Sequence, residues 1–172
     1  KPYCTSYCRY NAQGKIGGDS SLSPAGEAYA IKLADYAQDT VCVDEDGKTI
    51  KARLWTSSLN RTKQTARHIR HPKVRLENEE WAQMAPRELR ALDEIYAGVC
   101  DGMTYEEIGQ TYPEEFRLRQ QDKLGYRYPR GESYLDVISR LDPLIHELES
   151  YREPVLIVGH QVNPKTQITL KP

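Results

Sequence analysis

Hydrophobic positions follow two different periods along this chain and predict strands and helices in alternation. The apolar run "PVLIV" at 154–158 has the length and β-branching of a buried central strand, and "ARLWTS" at 52–57 predicts a second strand. Segments with helical periodicity lie between these runs. Because strands and helices alternate, we expect a three-layer α/β/α fold with a mostly parallel central sheet.

The clearest helix signal begins at Ser23, an N-cap residue followed by Pro24 at the first helical position. A second helix is predicted to open near residues 58–60 and to run through "RTKQTARHI". Arg61 therefore falls at a strand-to-helix turn, where open α/β sheets bind ligands. The apolar face of the first helix, expected to be core, consists of Ala30, Leu33, Ala34 and Ala37.

Two further helical regions and one turn are predicted in the rest of the chain. Thr104 and Glu107 form a capping box for a short helix, which Tyr112-Pro113 interrupts. A turn signal at 44–47 predicts a surface hairpin. A long amphipathic helix is expected from about residue 133 to 150, with a sheet-facing stripe of Ile138, Leu141, Ile145 and Leu148.

The end of the chain does not fit this architecture. Only "GHQVNPK" separates "PVLIV" from the next β-rich run, "TQITL", whereas a parallel crossover takes a dozen residues or more. Either the last strand pairs antiparallel, or a segment present in relatives is missing. Such a loss would come from a deletion, an erroneous gene model or an omission from the sequence.

Length and charge narrow the class of protein. With 172 residues, we expect a single domain over 1–172. The 24 Lys and Arg residues against 25 Asp and Glu leave a net charge of −1, so neither nucleic acid nor a membrane is an expected partner. No apolar run approaches the ~20 residues of a membrane span. We expect a soluble protein of the cytoplasm.

The cysteines argue against a metal centre. Cys4, Cys8, Cys42 and Cys100 include no CxxC pair and form no zinc-type cluster with histidine. We therefore expect no metal and no cofactor. The sparse spacing favours a reducing compartment, although the even number leaves a disulfide bridge open.

Five segments together resemble one family: "GKIGGDSSLSPAGEAYA", "LWTSSLNRTKQTA", "ALDEIYAGVCDGMTYEEIGQTYPEEFRLRQQDK", "YRYPRGESYLDVISRLDPLIHELE" and "VLIVGHQ". In this order, and over nearly the whole chain, they look like the bisphosphatase domain of 6-phosphofructo-2-kinase/fructose-2,6-bisphosphatase. That domain belongs to the phosphoglycerate mutase-like histidine phosphatases. The resemblance implies a phosphoglycerate mutase-like fold, fructose 2,6-bisphosphate or a related sugar phosphate as ligand, and a 6-phosphofructo-2-kinase domain as partner.

The resemblance assigns three residues to the chemistry. In this family a histidine of an Arg-His-Gly motif attacks the 2-phosphate, and water then hydrolyses the phosphohistidine. Arg61 matches the arginine that binds the phosphate, and His160 matches the second histidine, which holds the phosphoryl group. Glu94 matches the general acid that protonates the leaving sugar oxygen.

A second set matches the segment that closes over the sugar and its 6-phosphate. Arg119 and Lys123 are four residues apart, so on one helix they would clamp a single phosphate together. Tyr105 and Tyr134 belong to the same set, while Arg127 and Arg130 match more weakly. Arg130 is expected to be structural or peripheral.

The third set comes from two loops. Asn11, Ile16 and Gly17 match the family's first loop, which contacts phosphate and sugar. Glycines at 14, 17 and 18 allow backbone amides to approach an anion closely. Gln161 completes the "GHQ" motif as a further ligand-binding residue.

The nucleophile of the family is missing. An alignment on Asn11 without gaps puts Cys4 and Thr5 where the family has arginine and histidine. Thr5 has no base nearby in sequence to activate it, and Cys4 would remove positive charge. Alternatively, the alignment needs a gap, and "TSYC" is what remains after a few residues were lost. The fold is then shortened near both the first strand and the last crossover, and we expect slow hydrolysis of fructose 2,6-bisphosphate or none.

Three functions follow from this resemblance. The first is a phosphoric monoester hydrolase that removes the 2-phosphate and yields fructose 6-phosphate. The second is a non-catalytic pseudophosphatase that binds a sugar phosphate and regulates a kinase domain. A phosphoglycerate mutase or broad phosphatase is disfavoured by "GMTYEEIGQTYPEEFRLRQQDK". No Gly-x-x-x-x-Gly-Lys-Ser/Thr loop occurs, so the kinase half is not in this sequence.

Overall fold

A computed structural model describes residues 14–76 and 79–160, together with the backbone of residues 4–7. Its helices are α1 (Pro24–Tyr36), α2 (Asn60–Ala66), α3 (Tyr105–Thr111), α4 (Pro113–Gln121) and α5 (Tyr134–Glu149). Its strands are β1 (Cys4–Tyr7), β2 (Arg53–Thr56), β3 (Lys73–Leu76), β4 (Glu79–Ala82), β5 (Pro86–Glu88) and β6 (Val155–Gly159). A π-helical turn at Ala37–Val41 extends α1, and 3₁₀ turns lie at Arg90–Leu92 and Gly98–Cys100.

Four parallel strands form the central sheet in the order β1-β6-β2-β5. The apolar strand β6 is central, as the run "PVLIV" predicts, and it is buried because helices cover both faces of the sheet. Thr56 of β2 pairs with Val158 of β6, so the two strands end almost level with each other. Their carboxyl ends therefore point to one common edge.

Alternating side chains divide the core into two layers. Leu54, Leu156 and Val158 face the side of the sheet that carries α1 and α2. Trp55 and Val155 face the opposite side, where they pack with apolar residues of α5. The predicted three-layer α/β/α architecture with a parallel central sheet is confirmed.

The predicted start of α1 is also confirmed. Ser23 is the N-cap, and its hydroxyl accepts a hydrogen bond from the Gly26 amide at 3.2 Å. Ala30, Leu33 and Ala37 are buried, and Ala34 packs against them. In contrast, α2 is shorter than predicted, because it ends at Ala66 and residues 67–69 form a turn.

Helices α3 and α4 meet at the predicted interruption. Thr104 caps α3 in a capping box with Glu107, and α4 begins at Pro113. A third apolar cluster lies with these helices and contains Ile108 together with Cys100 and Tyr128. This cluster is separate from the two layers of the sheet, and it carries the segment that the resemblance places over the sugar.

The apolar stripe of α5 is shifted from the predicted one. Val137 and Leu141 are the buried residues of this helix, whereas Ile138 is 41% exposed. The partly buried Leu144 and Leu148 complete the packed stripe. The prediction for Ile138 is therefore wrong: both branched residues fit a helical stripe, and only the contact with the sheet shows which one faces inward.

The antiparallel strands β3 and β4 had no clear signal in the sequence. Half of the residues in each segment are charged, and Lys73 pairs with Ala82 at one end of a register that continues to Leu76 and Glu79. The predicted hairpin at 44–47 is present as a turn, with an antiparallel bridge between Val43 and Thr49.

The structure bears on the predictions for disulfides, metal sites and membrane spans. Cys42 and Cys100 are buried free thiols. Among residues 14–76 and 79–160, no group of three or more His, Cys, Asp or Glu side chains could hold a metal ion. In the same part of the chain, no helix has both the length and the hydrophobicity to cross a bilayer. The run "TQITL" and residues 161–165 of the short connection before it lie outside the described residues.

Replacing Ser133 with alanine should destabilise the domain by about 1 kcal/mol, because it removes the N-cap of α5. Ser133 is 3% exposed, its hydroxyl accepts from the Asp136 amide, and its own amide donates to the Asp136 carboxylate. Urea unfolding gives the free energy. Ser139→Ala in the same helix is the control, since the exposed Ser139 only bonds back to Leu135. Equal effects of the two substitutions would contradict the capping role.

Candidate functional site

The ends of β2 and β6 carry the centre of the site. His160 follows β6 and is 2% exposed, and Arg61 lies in the first turn of α2 and is 8% exposed. Arg61 Nε donates to His160 Nδ1 at 3.1 Å, and Arg61 Nη1 donates to the Gly18 carbonyl at 2.7 Å. The Ser57 hydroxyl is 2.6 Å from His160 Nε2. Arg61 and His160, which are 99 residues apart in sequence, are thus in direct contact.

These contacts decide the tautomer of His160. A guanidinium can only donate, so Nδ1 must be the acceptor and the neutral ring carries its proton on Nε2. Nε2 then donates to Ser57. Burial lowers the pKa of His160 to about 3, and the positive charges of Arg61 and Arg140 lower it in the same direction. At neutral pH the ring is uncharged, with both nitrogens engaged.

The first loop is held against the segment around residue 101. Gly18 donates its amide to the Asp101 carboxylate at 3.1 Å, and Ile16 donates to the Met103 carbonyl at 2.8 Å. Gly17 and Gly18 both adopt a positive φ, and a Cβ on Gly17 would lie 1.8 Å from Asp101 Oδ1. Only glycine fits at position 17. The predicted loop residues Ile16 and Gly17 therefore lie next to the glycine that contacts Arg61.

Glu94 lies on a segment whose backbone is held by Arg140 of α5. The Arg140 guanidinium donates to the carbonyls of Ala91 at 2.5 Å and Asp93 at 2.7 Å, and more weakly to that of Glu94 at 3.3 Å. Its Nε also donates to the Glu132 carboxylate at 2.9 Å. Glu94 itself is half-buried. One charged pair thus orders the segment that presents the candidate general acid.

A second contact joins this segment to α2. Both the amide and the hydroxyl of Ser58 donate to the Asp93 carboxylate, each at 2.7 Å. Ser58 directly follows Ser57, the hydrogen-bond partner of His160. The segment of Glu94, the candidate acid, is consequently anchored to the turn that precedes Arg61.

Arg119 lies among three tyrosines, Tyr105, Tyr128 and Tyr134. It donates to the Tyr105 hydroxyl at 2.8 Å, and its guanidinium carbon is 4.8 Å from the Tyr105 ring centre and 5.8 Å from that of Tyr128. Burial raises the pKa of Tyr134, while the nearby Arg119 charge opposes the rise and Glu94 adds to it. Tyr105, Arg119 and Tyr134 are therefore brought together, with Glu94 within electrostatic range.

Lys123 does not join Arg119 in the predicted way. Helix α4 ends at Gln121, and Asp122 closes it, so the four-residue spacing does not place both side chains on one helical face. Lys123 is exposed in the turn that follows. The expectation that both residues lie on one helix is wrong, because the helix ends before the second cation. Their joint binding of a phosphate stays a prediction.

The two weaker candidates in this region have other surroundings. Arg127 is exposed and forms an ion pair with Asp136 at 2.6 Å. Arg130 is exposed as well, and its φ of +61° places it in a left-handed turn. Their roles in ligand binding stay predictions.

The register of β1 bears on the missing nucleophile. Thr5 pairs with Ile157, and Tyr7 pairs with Gly159, the residue before His160. Thr5 is thus two residues before the end of its strand, whereas ligands of parallel sheets bind beyond the carboxyl ends. This register favours the gapped alignment over the one that puts Thr5 in the histidine's place. Asn11 and Gln161 lie outside the described residues.

Four residues of the site were not predicted: Ser57, Asp93, Asp101 and Arg140. Ser57 and Asp93 stand beside the predicted Arg61 turn and Glu94, but nothing in the sequence indicates that Ser57 contacts His160 or that Asp93 bonds to Ser58 across 35 residues. Arg140 looks like an ordinary polar residue of an amphipathic helix. The only usable signal would have been the partial burial of its side chain, and burial is not visible in a sequence.

Comparison with known proteins identifies the family. Residues 7–168 match the model of the histidine phosphatase superfamily (branch 1). The chain belongs to the histidine phosphatase superfamily. The matched range includes Arg61, Glu94 and His160, so the strand-end site lies inside the histidine phosphatase domain.

Relatives within this superfamily include proteins of plants and fungi. A 6-phosphofructo-2-kinase/fructose-2,6-bisphosphatase of Arabidopsis thaliana is 51% identical over 152 residues, which cover 88% of this chain and 18% of that protein. A fructose-2,6-bisphosphatase of Saccharomyces cerevisiae is 49% identical over 152 residues, covering 88% of this chain and 29% of that protein. The chain spans less than a third of the length of either relative.

Two solved structures share the fold. YhfR of Bacillus stearothermophilus superimposes with a TM-score of 0.69 and 26% identity over 91% of this chain and 70% of that one. A mycobacterial glucosyl-3-phosphoglycerate phosphatase superimposes with a TM-score of 0.65 and 24% identity, over 92% of this chain and 71% of its own. These similarities confirm the phosphoglycerate mutase-like α/β fold.

The His160 ring should stay neutral, with its proton on Nε2, from about pH 7 down to about pH 5. The reason is its lowered pKa of about 3 against the ordinary 6.5. Below the ordinary value the unfolded chain binds the proton and the native ring does not, so stability should fall as the pH decreases from 6.5. Long-range ¹H–¹⁵N spectra report the tautomer, with His160→Gln to assign the signal. Titration of this ring near pH 6.5 would contradict the burial argument.

Proposed function

We propose that this histidine phosphatase domain binds fructose 2,6-bisphosphate and hydrolyses its 2-phosphate slowly or not at all. The 2-phosphate lies at Arg61, and the sugar with its 6-phosphate lies at Arg119. The observation that carries the proposal is the contact between Arg61 and His160 at the paired ends of β2 and β6. The names of the relatives, fructose-2,6-bisphosphatases, support this choice of ligand.

The phosphate end rests on charge and geometry. A phosphate oxygen needs fixed donors, and a guanidinium presents several in one plane. Two of the Arg61 nitrogens are already used on His160 and Gly18, which holds the group in one orientation. Because the site is buried at its base, the charge of Arg61 acts in a medium of low dielectric constant and attracts an anion more strongly than at a surface.

The sugar end rests on Arg119 and the tyrosines around it. Tyrosine rings suit a sugar because they offer both an apolar face and a hydroxyl. Tyr105 and Tyr134 supply two such hydroxyls next to the Arg119 charge. In this proposal Lys123, Asn11, Ile16, Gly17 and Gln161 remain predicted ligand contacts.

Weak turnover follows from the histidines of the chain. Of the four, His68 contacts Glu27, while His71 and His146 are exposed. His160 is the histidine of the site, but Nδ1 has its lone pair bound by Arg61 and Nε2 carries the proton. A nitrogen needs a free lone pair to attack phosphorus. None of the four is therefore placed to form the phosphohistidine of the family.

The proposal also includes a 6-phosphofructo-2-kinase domain as partner and the cytoplasm as location. The Arabidopsis thaliana relative is named as a bifunctional kinase and bisphosphatase, and this chain covers 18% of it. A domain that holds the sugar bisphosphate without consuming it would suit the regulation of a partner kinase domain. If turnover occurs, Glu94 on its Arg140-ordered segment is the proposed general acid.

Arg61→Lys should weaken the binding of fructose 2,6-bisphosphate at least about tenfold, because lysine keeps the charge but cannot make the same set of hydrogen bonds. Calorimetry measures the affinity, and a parallel assay measures phosphate release. Arg70→Lys is the matched control, since Arg70 is exposed away from the strand ends. Wild-type release at roughly one per second or faster would refute the proposed weak turnover. If the wild-type domain does not bind fructose 2,6-bisphosphate, the proposed ligand is wrong.

The double substitution Cys4→Arg and Thr5→His should not restore phosphate release. Thr5 pairs with Ile157 inside the sheet, so a histidine there would stand before the strand end and not beyond it. The assay is the same phosphate release from fructose 2,6-bisphosphate, with circular dichroism to check folding. Rescue by this variant would show that the ungapped alignment is the correct one.

A further inference from the structure

Tyr128 has a buried hydroxyl without a hydrogen-bond partner among the described residues. The residue is 3% exposed and packs in the third apolar cluster with Ala97, Cys100 and Ile108. Buried hydroxyls are normally hydrogen-bonded, because leaving one unpaired costs its full desolvation. An exception of this kind calls for a physical reason.

The surroundings of this hydroxyl point to an anionic ligand. Burial raises the pKa of Tyr128, while the charge of Arg119 and a weak side-chain hydrogen bond from its guanidinium oppose the rise, so the guanidinium lies close to the hydroxyl. It nevertheless makes no hydrogen bond of normal geometry to it, and its recorded bond goes to the Tyr105 hydroxyl. Among residues 14–76 and 79–160, the structure records no carboxylate partner for Arg119. The positively charged Arg119 guanidinium and the Tyr128 hydroxyl, which can still donate a hydrogen bond, therefore lie side by side.

We propose that the Tyr128 hydroxyl is an additional ligand-binding group, which donates a hydrogen bond to the same phosphate oxygens that Arg119 attracts. The inference rests on the proposed function and extends its 6-phosphate subsite. A phosphate is a better acceptor for Arg119 than the neutral Tyr105 hydroxyl, since it carries the opposite charge and can accept two N–H groups of the guanidinium at once. Drawing the guanidinium toward the phosphate uncovers the hydroxyl of Tyr128 beneath it.

Tyr126 offers a built-in comparison. Its ring contacts that of Tyr128 edge to face, with centres 5.1 Å apart, and belongs to the same apolar cluster. Its hydroxyl, however, donates to the Glu115 carboxylate at 2.5 Å. The two tyrosines thus share a neighbourhood and differ in whether the hydroxyl is already satisfied.

The test is Tyr128→Phe beside Tyr126→Phe, with affinity for fructose 2,6-bisphosphate measured by calorimetry and stability measured by urea unfolding. Tyr128→Phe should weaken binding about tenfold and leave the ligand-free domain as stable as before or more so, because an unpaired buried hydroxyl is removed. Tyr126→Phe should lower stability, through the loss of its bond to Glu115, and leave the affinity unchanged.

A double-mutant cycle separates a ligand contact from a packing effect. In an Arg119→Met background, Tyr128→Phe should change the affinity by less than about twofold, because both groups act on one phosphate. Unchanged affinity of Tyr128→Phe in the wild-type background would overturn this inference alone. A wild-type domain that fails to bind fructose 2,6-bisphosphate would overturn the proposed function, and the inference with it.

Discussion

The buried charge of Arg61 is the constraint around which the site is built. A guanidinium that is 8% exposed is stable only if its donors find acceptors. It finds them on two remote parts of the chain, the His160 ring at the end of β6 and the Gly18 carbonyl in the first loop. The parallel pairing of β2 with β6 is what places the first of these within reach. The same bond determines the proton position of His160.

Around Arg61, side-chain carboxylates hold loop segments in place by accepting hydrogen bonds from them. Asp101 receives the amide of Gly18, and Asp93 receives the amide and hydroxyl of Ser58. Arg140 then holds the carbonyl groups around Glu94. Each of these charged groups bonds to the main chain, so together they fix the course of the loops. A change at Asp101 or Arg140 would consequently be felt at residues it does not touch.

Agreement between sequence and structure is best where the cause is local. The capping of α1 by Ser23 and the break between α3 and α4 at Pro113 depend on neighbouring residues, and both were predicted. The outcome differs where the cause is remote. Ile138 and Val137 are equally apolar, yet contact with the sheet buries only Val137. Lys123 has the right spacing from Arg119, but α4 ends first. β3 and β4 form by pairing with each other, and their polar sequences contain no clear strand signal.

The sequence by itself determined the fold class, the positions of β2 and β6, and the candidates Arg61, Glu94 and His160, because periodicity, caps and family motifs are properties of short stretches. It also determined that the histidine of Arg-His-Gly is absent. Only the tertiary structure decided that Arg61 and His160 touch, that Asp93 and Arg140 order the segment of Glu94, and that the hydroxyl of Tyr128 has no partner among the described residues. The physical reason is that burial and hydrogen bonding across 35 to 99 residues arise from packing. Spacing along the chain does not encode them.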